Sequence, residues 1–320
     1  MKRYWRTGLL VVGVVVAALE LRGHLPSASR TWQALRTADP RWLAGAVVLS
    51  GLSMVAFSEQ QRLLLGAFAV RMGPGVSLGL TYTRSAMAAA LPAGSAVSAG
   101  YAFGRFRAHG APRPVAAAVM LLSGAASIAG LALLYAGNVL LLARPSAAAL
   151  GIGAAVVVLG VLVALHARAV RRAGGPGPVV ETADDGRIRT TLRRTLTLAG
   201  SVPTRRWLAV IGMAVLNWLA DLACLIGAVR ATGLAVPVTT IVTGYLVAQL
   251  VRQIPATPGG IGVIEASLLV ALTAAGAPAA PAAAAVLLYR ILSCWVDLPI
   301  GLACWRASRS PVTERVLVPA

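Results

Sequence analysis

The sequence predicts an all-α polytopic membrane protein with about six full spans plus two Pro/Gly-broken re-entrant hairpins, or eight or more spans if the hairpins cross. Three observations lead there. The 320 residues are 58% hydrophobic and only 12% charged, with a mean hydropathy of +0.78, more apolar surface than a soluble domain can hide from water. Apolar runs such as 8–19 and 146–165 are continuous. Barrel strands would instead alternate in short segments, and backbone in lipid must satisfy its own hydrogen bonds, which leaves helices. Two further regions are each an apolar arm, a Pro/Gly break and a second arm.

In chain order, the N-terminus "MKRYWRTGLLVVGVVVAALELRG" starts basic like a signal peptide. It lacks a small-x-small cleavage site and is expected to remain as a first span over 5–22. The second span covers 42–62. Region 76–106 comes next, broken at Pro92 and Gly94, with arms of about fifteen and ten residues, short of the ~20 a bilayer core requires. Tyr82 and Arg84 lie on its first arm, Tyr101 and Arg105 on its second. Two more spans cover 115–142 and 146–167. In the connection 168–206, "RRAGGPGPVVETADDG" reads as a loop. "RIRTTLRRTLTLAG" places Ile188, Leu192 and Leu196 on one helical face, which suits an anionic membrane surface as well as solvent. The chain continues with a span over 207–229, the broken region 237–276 with arms of about sixteen residues, and a last span over 281–305.

The net charge of +19 does not indicate nucleic acid, because the arginines flank apolar runs in the positive-inside manner. The arginines of 168–206 place that connection in the cytoplasm. Counting outward, Arg62, Arg71, Arg105, Arg107, Arg113, Arg306 and both termini also fall inside, provided each broken region enters and leaves by one face. Loop 23–41, with Arg30, Arg36 and Arg41, is the exception on the outside. Span, hairpin and span thus recur in opposite orientation, over about 42–142 and about 207–305, within a single membrane domain. Such inverted repeats with broken helices point to a transport site near the midplane.

Charges inside the spans mark candidate site residues. Asp221 and Arg290 each lie nine residues from the outer end of a span, roughly 14 Å deep at 1.5 Å per residue. Their equal depth and opposite charge suggest an ion pair. Asn217, Asp221 and Cys224 share one face, as do Arg290, Ser293 and Asp297. In the second break Pro258 removes a donor, and Gly259 and Gly260 leave room for close approach. The arm beyond it starts near Ile261, and its free N–H groups suit an anion. Glu265 either caps that helix or meets Arg252 or Arg290 and yields to a phosphate. Cys224, Cys294 and Cys304 have no metal-ligand or disulfide spacing. No catalytic, cofactor or nucleotide motif is found, so an enzyme is not expected.

"NWLADLACLIGAVRATG", "GYLVAQLVRQIPATPGGIGVIEASLLVAL" and "AVLLYRILSCWVDLPIGL" resemble the lysylphosphatidylglycerol synthetase transmembrane-region family. "LPAGSAVSAGYAFGRFRAHGA" is similar to that family's first Pro/Gly break, and the resemblance spans roughly 40–305. Its most specific elements are TPGGxGxxE and the downstream Tyr289-Arg290 pair. Many members carry an acidic residue after the first break, where this chain has Ala and Ser. A first-hairpin carboxylate is therefore not carried over. No soluble transferase segment follows within the 320 residues, so the resemblance implies translocation of a phospholipid or lipid-linked headgroup in a bacterial inner membrane, and not aminoacyl transfer. The implied partners are anionic membrane lipids and a separate lipid or envelope synthesis enzyme. The alternative is a non-transporting scaffold that holds such an enzyme through 168–206; a lipid-modifying transferase is the least favoured reading.

Overall fold

A computed structural model describes residues 28–91, 93–141, 186–252 and 262–308. The expected spans 5–22 and 146–167, residues 168–185 of the connection 168–206, and the breaks at Pro92, Pro258, Gly259 and Gly260 lie outside the described residues. The helices are α1 (Ala28–Arg36), α2 (Pro40–Ala67), α3 (Pro74–Ala90), α4 (Gly94–Ala108), α5 (Arg113–Leu141), α6 (Gly186–Ser201), α7 (Thr204–Ala231), α8 (Val238–Arg252), α9 (Val263–Ala274), α10 (Ala279–Arg290) and α11 (Asp297–Ala307). A π-helical turn, Ile291–Trp295, joins α10 to α11.

Four of these units are long and apolar enough to cross a bilayer: α2, α5, α7 and the composite helix 279–307. They coincide with the expected spans 42–62, 115–142, 207–229 and 281–305; α2, α7 and the composite helix run four to seven residues longer than expected. Their outward surfaces are apolar, with Val48 70% and Leu140 85% exposed, as lipid rather than water requires.

α2 and α7 form the centre and run antiparallel. The Asp39 N–H donates to Ala231 O (2.8 Å) at one end, where Asp39 also caps α2 by accepting from the Arg41 N–H (2.8 Å). At the other end Arg206 Nη1 donates to Gly66 O (2.6 Å). Both helices have 28 residues. Midway, Ser53 Oγ donates to Asn217 Oδ1 (2.9 Å). Each of these two residues sits thirteen positions past the start of its own helix, so equivalent positions meet at the crossing. The order long helix, two short helices, long helix therefore occurs twice with opposite sense, an inverted repeat.

The broken regions are helix pairs. α3 and α4 have 17 and 15 residues, α8 and α9 15 and 12. The second arm of the first pair is longer than the ten residues expected, because helix resumes at Gly94, directly past the break. At roughly 1.5 Å per residue none exceeds about 26 Å, below the ~30 Å of a hydrocarbon core. The arms of each pair pack on one another. A Cβ on Gly94 would meet Ala88 O at 2.6 Å, and one on Gly244 would meet the Ala271 Cβ at 2.7 Å. Each pair also packs on the closing helix of the other half. α3 lies along α11, where Thr83 Oγ1 donates to Gly301 O (3.3 Å). α8 meets α5, where the Tyr135 hydroxyl donates to Leu246 O.

α1 packs on α10 with its Trp32 exposed and Arg36 stacked over that ring at 4.9 Å. Of the arginines that break the positive-inside pattern in 23–41, Arg30 and Arg36 thus belong to a short helix packed on α10, and Arg41 to the first turn of α2. α6 packs on α5 through a face bearing buried Thr195 and Ala199, with Leu196 half-buried and Arg193 and Arg194 exposed. The side chains of Ile188 and Leu192, two of the three that make the expected apolar face, lie outside the described residues.

Gly301 is the tightest point of the α3–α11 contact: a Cβ there would fall 2.6 Å from the Ala86 Cβ and would also strike the Tyr82 carbonyl. Overpacking typically costs 1–3 kcal/mol. Gly301→Ala should lower the thermal midpoint of the detergent-purified protein by several degrees. Gly100→Ala, where a Cβ meets nothing within 4 Å, should leave that midpoint unchanged or raise it.

Candidate functional site

The polar residues of the second half converge where α7, α8, α9 and α10 meet. α8 repeats polar groups at Tyr245, Gln249 and Arg252, an i, i+4, i+7 stripe on one face. That face turns toward α7. The Tyr245 hydroxyl donates to Asp221 Oδ2 at 2.7 Å, and Gln249 Nε2 lies 3.4 Å from the same oxygen. From α10 the Tyr289 hydroxyl donates to it at 3.0 Å. Asp221 therefore has three neutral donors from two helices on one carboxylate oxygen.

Arg290, 3% exposed, sits at the last position of α10. Its Nε donates to Glu265 Oε1 at 2.6 Å. The other carboxylate oxygen, Oε2, accepts the Gly262 backbone N–H at 2.7 Å, which satisfies one of the free donors at the start of α9. Glu265 is thus both a helix cap and the partner of a buried guanidinium. The cap and the contact with Arg290, which the sequence leaves as alternatives, are made by its two oxygens together. Gly262, at φ +87°, takes a backbone conformation suited to glycine.

This corrects the expected pairing of Asp221 with Arg290. Depth along a helix does not fix the direction of a side chain. Asp221 is served by hydroxyls, and the guanidinium goes to α9. The expected face Arg290, Ser293, Asp297 is also broken, because the π turn between them carries an extra residue and rotates the downstream helix. Its cause lies in that downstream helix. Pro299 has no N–H for the Trp295 carbonyl, and its ring crowds that carbonyl; the Val296 N–H instead bonds Ile291 O at 2.9 Å. Ser50 Oγ of α2 donates to Leu292 O at 2.9 Å. Asp297 turns to the first hairpin and accepts from Ser85 Oγ at 2.6 Å.

The remaining predicted residues scatter. Asn217 meets Ser53 of α2 rather than Asp221. Arg252 ends α8 exposed, yet within electrostatic reach of Asp221. Tyr101 shares a 3.0 Å hydrogen bond with Ser308 at the end of α11, away from the break. Gly94 allows the tight α3–α4 turn. Arg84 points from α3 toward α2, its Cζ 5.8 Å from the Phe57 ring centroid. Sequence reasoning misses Tyr245 and Gln249 as site residues, although their spacing with Arg252 is present in the sequence. Among the described residues no group of three or more His, Cys, Asp or Glu is placed to hold a metal.

A model of the lysylphosphatidylglycerol synthase transmembrane region matches residues 6–301. A "UPF0104 membrane protein" of Methanothermobacter thermautotrophicus is 26% identical over 107 residues, 33% of this chain and 32% of that protein. The matched segment thus spans about a third of the relative's length.

The double duty of Glu265 separates two substitutions. Glu265→Gln keeps an acceptor for the Gly262 N–H and loses the ionic partner of Arg290. Glu265→Ala loses both and leaves the guanidinium without that carboxylate, a change that costs about 3–5 kcal/mol for a buried pair. Chemical denaturation in detergent should rank wild type above Glu265→Gln, and Glu265→Gln above Glu265→Ala.

Proposed function

Because the chain belongs to the lysylphosphatidylglycerol synthase transmembrane-region family, we propose that it translocates a phospholipid or lipid-linked anionic headgroup across a bacterial cytoplasmic membrane. The observation that carries this reading is the Arg290–Glu265 pair at the second break. A guanidinium and a helix N-terminus both favour a phosphate. In the resting state one carboxylate occupies both. An incoming phosphate replaces Glu265 on Arg290 and takes up the free donors of α9, so the buried cation exchanges one anion for another and is never left bare. That exchange avoids the penalty of an unpaired charge in low dielectric. Asp221 keeps its hydroxyl donors throughout and sets the field that Arg252 and the headgroup feel.

In this reading both termini and the arginine-rich ends of α4, α5 and α7 face the cytoplasm. The lipid enters laterally between the two hairpins. The process is passive or driven by membrane potential or protons, and it requires no catalytic group. Inverted repeats with broken helices supply the alternating access such a route needs.

The test is reconstitution into vesicles that carry a fluorescent phosphatidylglycerol, with headgroup exposure read by a membrane-impermeant quencher. Arg290→Ala should slow exposure at least tenfold. Arg62→Ala, which removes only a half-exposed pair with Glu59, should match wild type. Wild-type rates from a stably folded Arg290→Ala protein would overturn the assignment.

A further inference from the structure

The first hairpin carries a cation that no described residue neutralises. Arg84 lies ten residues into α3, about 15 Å along the helix, on the face that also bears buried Ser77, Leu80 and Thr81. Its Nε and Nη1 are buried and have no hydrogen-bond partner among the described residues. Neighbouring carboxylates are committed elsewhere, Glu59 to Arg62 and Asp297 to Ser85. The guanidinium instead lies over the face of Phe57. Cation–π attraction is weaker than a charge-assisted hydrogen bond and leaves the N–H groups unsatisfied.

The inverted repeat shows what is missing. Phe57 lies seventeen positions past the start of α2, and Asp221 lies seventeen past the start of α7. Each faces the first arm of its own hairpin: Asp221 meets Tyr245 and Gln249 of α8, and Phe57 meets Arg84 of α3. The second half therefore places an acid where the first places an aromatic ring, and the arm of the first half supplies a cation with a ring where that acid would stand. Two more buried hydroxyls without partners among the described residues, Ser58 Oγ on α2 and Ser293 Oγ on the π turn, belong to elements that pack on one another and on α3. A bare guanidinium at this depth is costly. Its five N–H donors in a planar fork match a phosphate.

We propose that Arg84 is the anchor of a second anion site, in the first hairpin, which takes a phosphate or phosphodiester group. Phe57 supports the guanidinium from one side. The site is separate from the Arg290–Glu265 pair and does not rest on translocation. It differs from that pair in kind: no described carboxylate holds it closed, so it binds without displacing one. The same chemistry is offered by a lipid headgroup and by free phosphate.

The full chain, purified in dodecylmaltoside and stripped of lipid, distinguishes these sources. Native mass spectrometry would follow binding of phosphatidylglycerol, of diacylglycerol as the phosphate-free control, and of inorganic phosphate. Wild type should bind phosphatidylglycerol at least tenfold more tightly than Arg84→Met does, with diacylglycerol indifferent to the substitution. Arg84-dependent binding of inorganic phosphate would identify a soluble anion as the occupant, and its absence a lipid; either supports the site. Arg290→Gln should retain the Arg84-dependent component, so failure here is distinguishable from failure of translocation. Equal affinity of wild type and Arg84→Met for both phosphate probes would overturn the proposal. If Arg84→Met does not fold, wild type is irradiated with a phosphatidylglycerol bearing a headgroup-proximal diazirine. Adducts on α2 or α3 that phosphatidylglycerol or phosphate competes away support the site, and their absence overturns it.

Discussion

The antiparallel crossing of α2 and α7 holds the remaining elements in place. Two 28-residue helices meet at matching positions and are tied at both ends by hydrogen bonds to terminal carbonyls, those of Ala231 and Gly66. A pair so fixed has little freedom to slide or rotate. The flanking helices take their positions from it. α5 lies on both, with Gln60 Nε2 donating to Ser123 O (2.8 Å) from α2 and Trp218 Nε1 donating to Ser127 O (2.8 Å) from α7. α10 and its π turn fill the corresponding place on the other side, through Tyr289 to Asp221 and Ser50 to Leu292 O. The hairpins then reach across to the opposite half. Because lipid offers no hydrophobic drive between helices, small residues and interhelical hydrogen bonds carry this association. Gly130 against Ala214 and Gly227 against Ala46 are such contacts.

Much of this is legible in the sequence, for reasons that differ by level. The described spans and the two arm–break–arm regions follow from length and hydropathy, which the bilayer imposes directly. The repeat follows from arginine placement and from the matching positions of the breaks. Side-chain pairing is legible only in part. Arg290 and Glu265 stand out, because a carboxylate one turn into a broken helix and a mid-span cation are each rare. The partner of Asp221 does not, because depth is a one-dimensional measure and pairing depends on rotation about the helix axis. That rotation is hidden twice: by the π turn, which moves Asp297 off the face of Arg290, and by the Tyr245–Gln249 stripe on α8. Polar groups at i and i+4 facing a membrane-buried acid are a signal a reader can look for. The proline that provokes the π turn stands four residues beyond it, where only the i−4 carbonyl rule connects the two.

The two hairpins differ in how they treat charge. Around the second, Asp221 of α7 is met by two hydroxyls and an amide, and Arg290 of α10 takes the Glu265 carboxylate of the hairpin's second arm. The first gives its carboxylate neighbour a serine and its arginine an aromatic ring. A shared backbone plan therefore carries two unlike electrostatic settings, one closed on itself and one open.

The meeting of Ser53 with Asn217 shows why one continuous chain serves this arrangement better than two identical subunits would. In a homodimer with the same axis, the residue at the crossing faces its own copy. A hydroxyl there would be matched with a hydroxyl, an amide with an amide, and any acid near the axis would confront its twin. Joining the halves in one polypeptide lifts that restriction. A donor can be set against an acceptor, and Asp221 can be present once, with a phenylalanine in the equivalent place.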